Sequence, residues 1–428
     1  MIARVQKLLS DGRGQVEGFC RDDFAPVLDA FVANFEVHGE IGASVSVSFD
    51  GETVVDLWGG LADPNKQLAW QSDTVSLVYS ATKSLVGLVA GILIDRGQLD
   101  PAAPMTDVWP AFGRNGKQDA TVRMALDHSL GLPALRTPVR PDGFYDWEYM
   151  CDLIAEEAPF WEPGSEVGYH AMTWGWIVGE MMRQVTGKTF GQLLQELLAE
   201  PLGLDVWCGL PEAIEPRIAP IIAEPIGAQF GKIFERSVAD DASISALALQ
   251  NDGGWLSGFV TDPMTGRVHS DTRDSHAAEI PAANAITNAR ALAGAFRPFA
   301  TGGREGGQVY AGPETLADME SISVATNLDR TTLQPTAWTV GFNKMRDLNA
   351  GRPSAPPGLA LGRRAFGHSG AGGSLAFADP EFALSFGYTM NRLSKSGRVD
   401  ERAESLVAAL YSVVGCTKIR AGYRRRPQ

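Results

Sequence analysis

Ser80-Ala81-Thr82-Lys83 opens directly onto the apolar run 85–94, which ends at Asp95-Arg96. A polar segment giving way to such a run predicts the first turn of a buried helix. The three-residue spacing places Ser80 and Lys83 on one face of that helix. A helix start offers unpaired N–H groups and positive potential, both suited to a developing oxyanion. A lysine sunk in an apolar helix end tends to lose its proton, because desolvation disfavours the ammonium. It could then take the proton of Ser80, the candidate nucleophile. About one S-x-x-K is expected by chance in a chain of this length, so its placement, not its letters, carries the reading.

On the N-terminal side of this helix, Val27, Leu28, Phe31 and Phe35 recur at helical spacing. Val45, Val47 and Phe49 then alternate with Ser44, Ser46 and Ser48, which reads as a strand with one buried face. Asp50-Gly51 signals a two-residue hairpin, with 53–58 as the returning strand. The C-terminal end mirrors this. Residues 374–378, the turn Asp379-Pro380-Glu381 and 383–390 read as a second hairpin, and 406–414 as a closing helix. Residues 338–345 could supply a further strand. The middle is richer in helical patterns, at 172–185, 190–198 and 285–296, while 223–281 has weak periodicity and many turn residues. The expectation is an α+β fold whose central antiparallel sheet is assembled from both chain ends. The sheet domain takes 1–83 and 338–428, and a mainly helical domain takes 84–337.

Composition bounds the function. With 44% apolar and 21% charged residues the profile is globular, and a net charge of −14 argues against nucleic acid or anionic lipid as partner. The one basic cluster, Arg424-Arg425-Arg426, reads as a frayed, solvated tail. Residues 1–20 contain no continuous apolar stretch, so no secretory leader is read there, and no later run is long enough to span a bilayer. Cys20, Cys151, Cys208 and Cys416 are scattered without metal-binding spacing, so they read as unpaired thiols in a reducing, cytoplasmic compartment. No metal site is expected.

Two further motifs carry chemistry. Tyr169 follows a Pro163-Gly164 turn and precedes a helical pattern, where its phenol could reach the Ser80 hydroxyl. Gly367-His368-Ser369-Gly370-Ala371-Gly372-Gly373 precedes a strand, and its glycines admit close approach of a ligand. The Ala371 N–H could complete an oxyanion hole with that of Ser80. Ser369 is not taken as the nucleophile, because Ala371 breaks the G-x-S-x-G pattern and the motif leads into a strand. Tyr145, Trp147 and Trp255 are candidates for the wall of an apolar acyl pocket.

In this order the three motifs resemble the active-site elements of the serine β-lactamase and penicillin-binding-protein superfamily, and most nearly its family VIII carboxylesterases. Similar stretches include Leu126-Asp127-His128-Ser129-Leu130-Gly131-Leu132-Pro133 and Gly387-Tyr388-Thr389-Met390-Asn391. The resemblance spans 17–412 and implies a β-lactamase/transpeptidase-like fold. It implies Ser80 as nucleophile, Lys83 and Tyr169 sharing the general-base work, the N–H groups of Ser80 and Ala371 as oxyanion hole, and no cofactor. His368-Ser369-Gly370 occupies the place of the lysine-threonine-glycine motif of lactamases, and Ala171 stands where their Y-x-N asparagine would be. Both departures favour an ester of short or medium acyl chain as substrate over a β-lactam. A β-lactamase, a D-amino-acid peptidase or an acyltransferase is the alternative among enzymes. A non-catalytic sensor or scaffold is the alternative outside them. The order of proton transfer between Lys83 and Tyr169 is open, since such a pair titrates as a unit.

Overall fold

The computed structural model describes residues 2–10, 12, 14–223, 240, 242–250, 268–347, 358–394 and 399–427. Its main sheet contains β1 (Ile2–Leu8), β2 (Gln15–Arg21), β3 (Gly42–Phe49), β4 (Glu52–Asp63) and β5 (Leu68–Ala69). The C-terminal end adds β6 (Phe366–Ser369), β7 (Leu375–Asp379) and β8 (Leu384–Met390). The order is β1-β2-β4-β3-β8-β7-β6, with β5 beside β4. Every pairing is antiparallel. The two chain ends meet where β3 pairs with β8, as the α+β reading expects. Asp50 and Gly51 have φ of 49° and 81°, the left-handed pair that lets a two-residue turn match strand twist.

Five helices position the site: α1 (Ala25–Glu36), α2 (Thr82–Asp95), α3 (Thr173–Thr186), α4 (Ala289–Ala300) and α5 (Glu401–Val413). Val47, Phe386 and Phe377 lie in cross-strand register. Phe377 stacks on Tyr411 of α5, which packs against α1. The opposite face carries Ser44, Ser46, Gly387 and Thr389. That face is buried too, contrary to the one-sided reading of β3, because α4 lies on it. Small residues make this possible. A Cβ at Gly387 would sit 2.2 Å from the Ala289 carbonyl oxygen. The Ser44 hydroxyl accepts from the Ala289 N–H at 3.2 Å.

Two contacts cross the expected boundary between the sheet domain and the helical domain. Helix α4 falls inside the 84–337 stretch but covers the sheet, and Ile286–Thr287 pairs with Ser76–Leu77. Further differences lie at the termini. The β1–β2 hairpin gave no readable signal, since Val5 and Val16 are buried while Arg4 and Lys7 face solvent at the sheet's edge. Arg424–Arg425 is no frayed tail. It pairs with Thr417–Lys418, and the Arg424 Nε donates to the Ala360 carbonyl at 3.0 Å. The 338–345 stretch supplies only the end of the short strand Thr336–Trp338, paired with Val324–Thr326, and a bridge from Asn343 to Gly367. The four cysteines are free and buried. Among the described residues no helix is long and apolar enough to cross a membrane.

Candidate active site

Helix α2 is apolar on every side, so it is buried all round and carries its polar start into the interior. Ser80 sits in the 3-10 turn Tyr79–Ala81 that leads into it. Tyr79 takes φ 47°, a left-handed conformation costing a side-chain-bearing residue roughly 1–2 kcal/mol. Its hydroxyl lies 3.1 Å from the Ser270 Oγ, and Thr82 Oγ1 donates to its carbonyl at 2.5 Å. These contacts hold the residue before Ser80 in place.

The expected Ser80–Lys83 juxtaposition is present, with Lys83 Nζ 3.5 Å from Ser80 Oγ. Lys83 is fully buried, and its amine also donates to the carbonyls of Ala171 at 2.7 Å and Ala282 at 2.8 Å. Among the described residues no carboxylate pairs with it, and burial alone holds its pKa well below the usual lysine value. A neutral amine has two N–H bonds and one lone pair. In the neutral form, with both N–H groups on carbonyls, the lone pair would face Ser80 Oγ.

Tyr169 completes the triangle, its hydroxyl donating to Ser80 Oγ at 2.9 Å. Burial raises its pKa, so the phenol keeps its proton. The ring stacks on Trp338 at 5.4 Å and 5°, and on His368 at 5.9 Å. Lys83 Nζ lies 5.0 Å from its centroid. The Tyr169 N–H donates to the fully buried carboxylate of Asp329, which also accepts from the N–H groups of Thr331 and Thr332 and from Thr336 Oγ1. His170 is structural: Nδ1 contacts the Gly168 carbonyl and Nε2 accepts from the Leu132 N–H. Burial lowers its pKa to about 3.

The glycine-rich segment closes the other side. Ser374 Oγ donates to the Val78 carbonyl at 2.7 Å, and Gly370 approaches that carbonyl so closely that a Cβ there would lie 2.0 Å from it. The turn Ala371–Gly373 packs against Tyr79–Ala81. Neighbouring donors are engaged: Ala81 N–H on Val78, Gly370 N–H on Ser374 and Gly373 N–H on Gly370. The N–H groups of Ser80 and Ala371 find no acceptor among the described residues. Such a pair can receive the oxygen of a tetrahedral adduct. His368, the last residue but one of β6, has its Nδ1 on the Ser369 carbonyl at 2.6 Å, and burial lowers its pKa to about 3. It is therefore neutral near pH 7 and offers no charge to a carboxylate.

The sequence-based pocket wall fares differently. The Tyr145 hydroxyl bonds Thr272 and Ser275. Trp147 Nε1 donates to Glu180 Oε2 at 2.7 Å, and its indole packs on Gly179 of α3. Among the described residues no hydrogen bond or ring contact joins either to Ser80, Lys83 or Tyr169. Trp255 and much of 223–281, namely 224–239, 241 and 251–267, lie outside the described residues. Asp329, Trp338 and Ala282 were not anticipated as parts of the site. Asp329 alone had a local signal, an Asx turn to Thr331, but nothing linked it to Tyr169.

Fold and site together define a hydrolase architecture of the β-lactamase/transpeptidase type. The chain belongs to the beta-lactamase family, whose model matches residues 28–410. It is 33% identical over 387 residues to the esterase/beta-lactamase LipL of Mycobacterium tuberculosis (strain ATCC 25618 / H37Rv), covering 90% of this chain and 84% of that protein. Its fold matches a family VIII carboxylesterase crystal structure with a TM-score of 0.78 and 35% identity, over 93% of this chain and 99% of that one. A penicillin-binding protein homologue from Caulobacter crescentus matches with a TM-score of 0.78 and 33% identity, again over 93% and 99%. The chain is thus an esterase/β-lactamase-like hydrolase of the serine β-lactamase superfamily.

Proposed function

We propose that the protein hydrolyses carboxylic esters of short to medium acyl chain through an acyl-enzyme on Ser80. The observation that carries this is the Ser80–Lys83–Tyr169 triangle, with a buried, carbonyl-held amine whose pKa burial lowers at one corner. Ser80 Oγ attacks the ester carbonyl carbon as its proton passes to Lys83. The oxyanion is received by the Ser80 and Ala371 N–H groups. Collapse breaks the C–O bond, and the leaving alkoxide takes the Tyr169 proton, which Lys83 restores. A water deprotonated by the same pair then releases the acid and regenerates Ser80. Ester and water give acid and alcohol, with no net change in the protein.

The ester reading is favoured over a β-lactam because the residue in the lactamase lysine position, His368, is neutral and already committed to the Ser369 carbonyl. The relative in Mycobacterium tuberculosis is named for both activities, so nitrocefin is the second substrate to try. The test is the initial rate of p-nitrophenyl butyrate hydrolysis by wild type and by folded Ser80→Ala. The expected outcome is a fall of about 10³-fold or more in the variant. Equal rates would overturn the assignment of Ser80, and no rate in either protein would overturn the ester reading.

A further inference from the structure

Buried ionisable groups outside the Ser80 triangle invite a role, and one cluster touches the site's other wall. Arg402, at the start of α5, is 1% exposed, and Glu40, before β3, is fully buried. Arg402 Nη1 donates to Glu40 Oε1 at 2.8 Å and to the Arg392 carbonyl at 3.0 Å. Its Nε donates to the Asp400 carboxylate at 2.9 Å. The Tyr388 hydroxyl donates to the second Glu40 oxygen. One donor is left, Nη2, which also approaches Asp400 at 2.9 Å and reaches the Gly372 carbonyl at 3.0 Å. That carbonyl belongs to the Ala371–Gly373 turn and takes a second bond, from the Ser394 N–H at 3.0 Å.

The turn needs holding. Gly372 and Gly373 have φ of 85° and 129°, so neither residue restricts the backbone with a side chain. A Cβ at Gly372 would sit 2.3 Å from Leu393 Cδ2, so only glycine fits there. On one flank Gly370 and Ser374 tie the turn to the Val78 side. On the other flank, among the described residues, the Gly372 carbonyl is tied only through Arg402 and Ser394. A buried arginine with its own carboxylates costs desolvation that a packed apolar side chain would avoid, so its retention is not explained by stability alone.

We infer that Arg402, anchored by Glu40, is a positioning residue that fixes the Ala371 N–H as an oxyanion donor by holding the Gly372 carbonyl. This rests on the reading of Ser80 and Ala371 as the oxyanion hole. Misplacing a donor weakens transition-state binding while leaving ground-state binding in place, so the effect falls on kcat and spares KM.

The experiment compares an oxoester with the matching thionoester, using wild type, Arg402→Lys and Glu40→Gln, with active sites counted by fluorophosphonate titration. Backbone N–H groups bind an oxyanion better than a thiolate-like sulfur, so an intact hole prefers the oxoester. Arg402→Lys is expected to lose about tenfold to a hundredfold in kcat per titrated site, part of the 10²–10³ that deleting a donor costs. KM should stay within about twofold, and the oxo/thiono ratio should fall with kcat. Glu40→Gln shifts both readouts the same way by less, and carries the test alone if Arg402→Lys does not fold. A merely structural role would lower the number of titratable sites and leave the per-site ratio unchanged; that result overturns the inference. A wild type that shows no oxoester preference would instead overturn the oxyanion-hole reading beneath it.

Discussion

Lys83 at 0% exposure and Arg402 at 1% are both shut inside this protein, and their surroundings send them opposite ways. Lys83 meets two carbonyls and a serine hydroxyl, with no carboxylate among the described residues. Arg402 meets Glu40 and Asp400 as well as carbonyls. Burial penalises charge in both. For Lys83 nothing opposes it, and the pKa falls well below the usual value. For Arg402 burial pulls the same way, but Glu40, Tyr388 and Asp400 reverse it, and the guanidinium stays charged. At equal burial the counterion makes the difference: without one the amine's pKa falls, and with two carboxylates beside it the guanidinium keeps its charge.

The largest effect comes from taking away the unpaired member. Lys83→Met should lower kcat/KM for p-nitrophenyl butyrate by about 10³-fold, inside the 10²–10⁴ range of a positioned base. Lys83→Arg is the sharper variant, because a guanidinium places a basic group of similar reach there yet cannot give up its proton. It should be as inactive as Lys83→Met. Activity near wild type in Lys83→Arg would show that a cation suffices there and that the proton goes elsewhere, with Tyr169 the remaining acceptor.

Breaking the paired member should register in stability. Arg402→Met leaves Glu40 buried with only the Tyr388 hydroxyl as partner, and should cost about 3–5 kcal/mol in urea unfolding. Adding Glu40→Gln to it removes the stranded carboxylate and should recover part of that loss. If the double variant is as unstable as the sum of the single ones, the two residues are not coupled, and the pairing contributes nothing of its own.

The unpaired cation was legible in the sequence and the paired one was not, for a physical reason. Ser80 and Lys83 belong to one helical turn, so spacing and the apolar run that follows place them together. Strand alternation and the Asp50-Gly51 turn gave the central hairpin in the same local way. Glu40 and Arg402 lie at opposite ends of the chain and meet only because β3 pairs with β8. Asp329 reaches the Tyr169 N–H by a similar long-range contact. Alternating serines suggested a wet face on β3, because nothing local announces that an alanine-rich helix from position 289 onward will lie on it.

The smallest effect is a slope in stability, and it separates Lys83 from Arg402 by their titration. In the unfolded chain Lys83 protonates near its ordinary 10.5, whereas in the folded protein it protonates only well below that. Between these values the unfolded state binds more protons, so stability falls as pH falls, by up to about 1.4 kcal/mol per pH unit. Below the folded-state pKa both states hold the proton and the slope vanishes. Lys83→Met lacks this term, so its stability relative to wild type should improve steadily as urea unfolding is repeated from pH 10 downward. Arg402 stays charged in both states, so Arg402→Lys should retain the Lys83-dependent slope. The same titration should appear in catalysis, with kcat/KM of the wild type rising as pH rises through the Lys83 pKa. A difference between Lys83→Met and wild type that stays flat across this range would mean that Lys83 keeps its proton in the folded state, and the contrast with Arg402 would collapse.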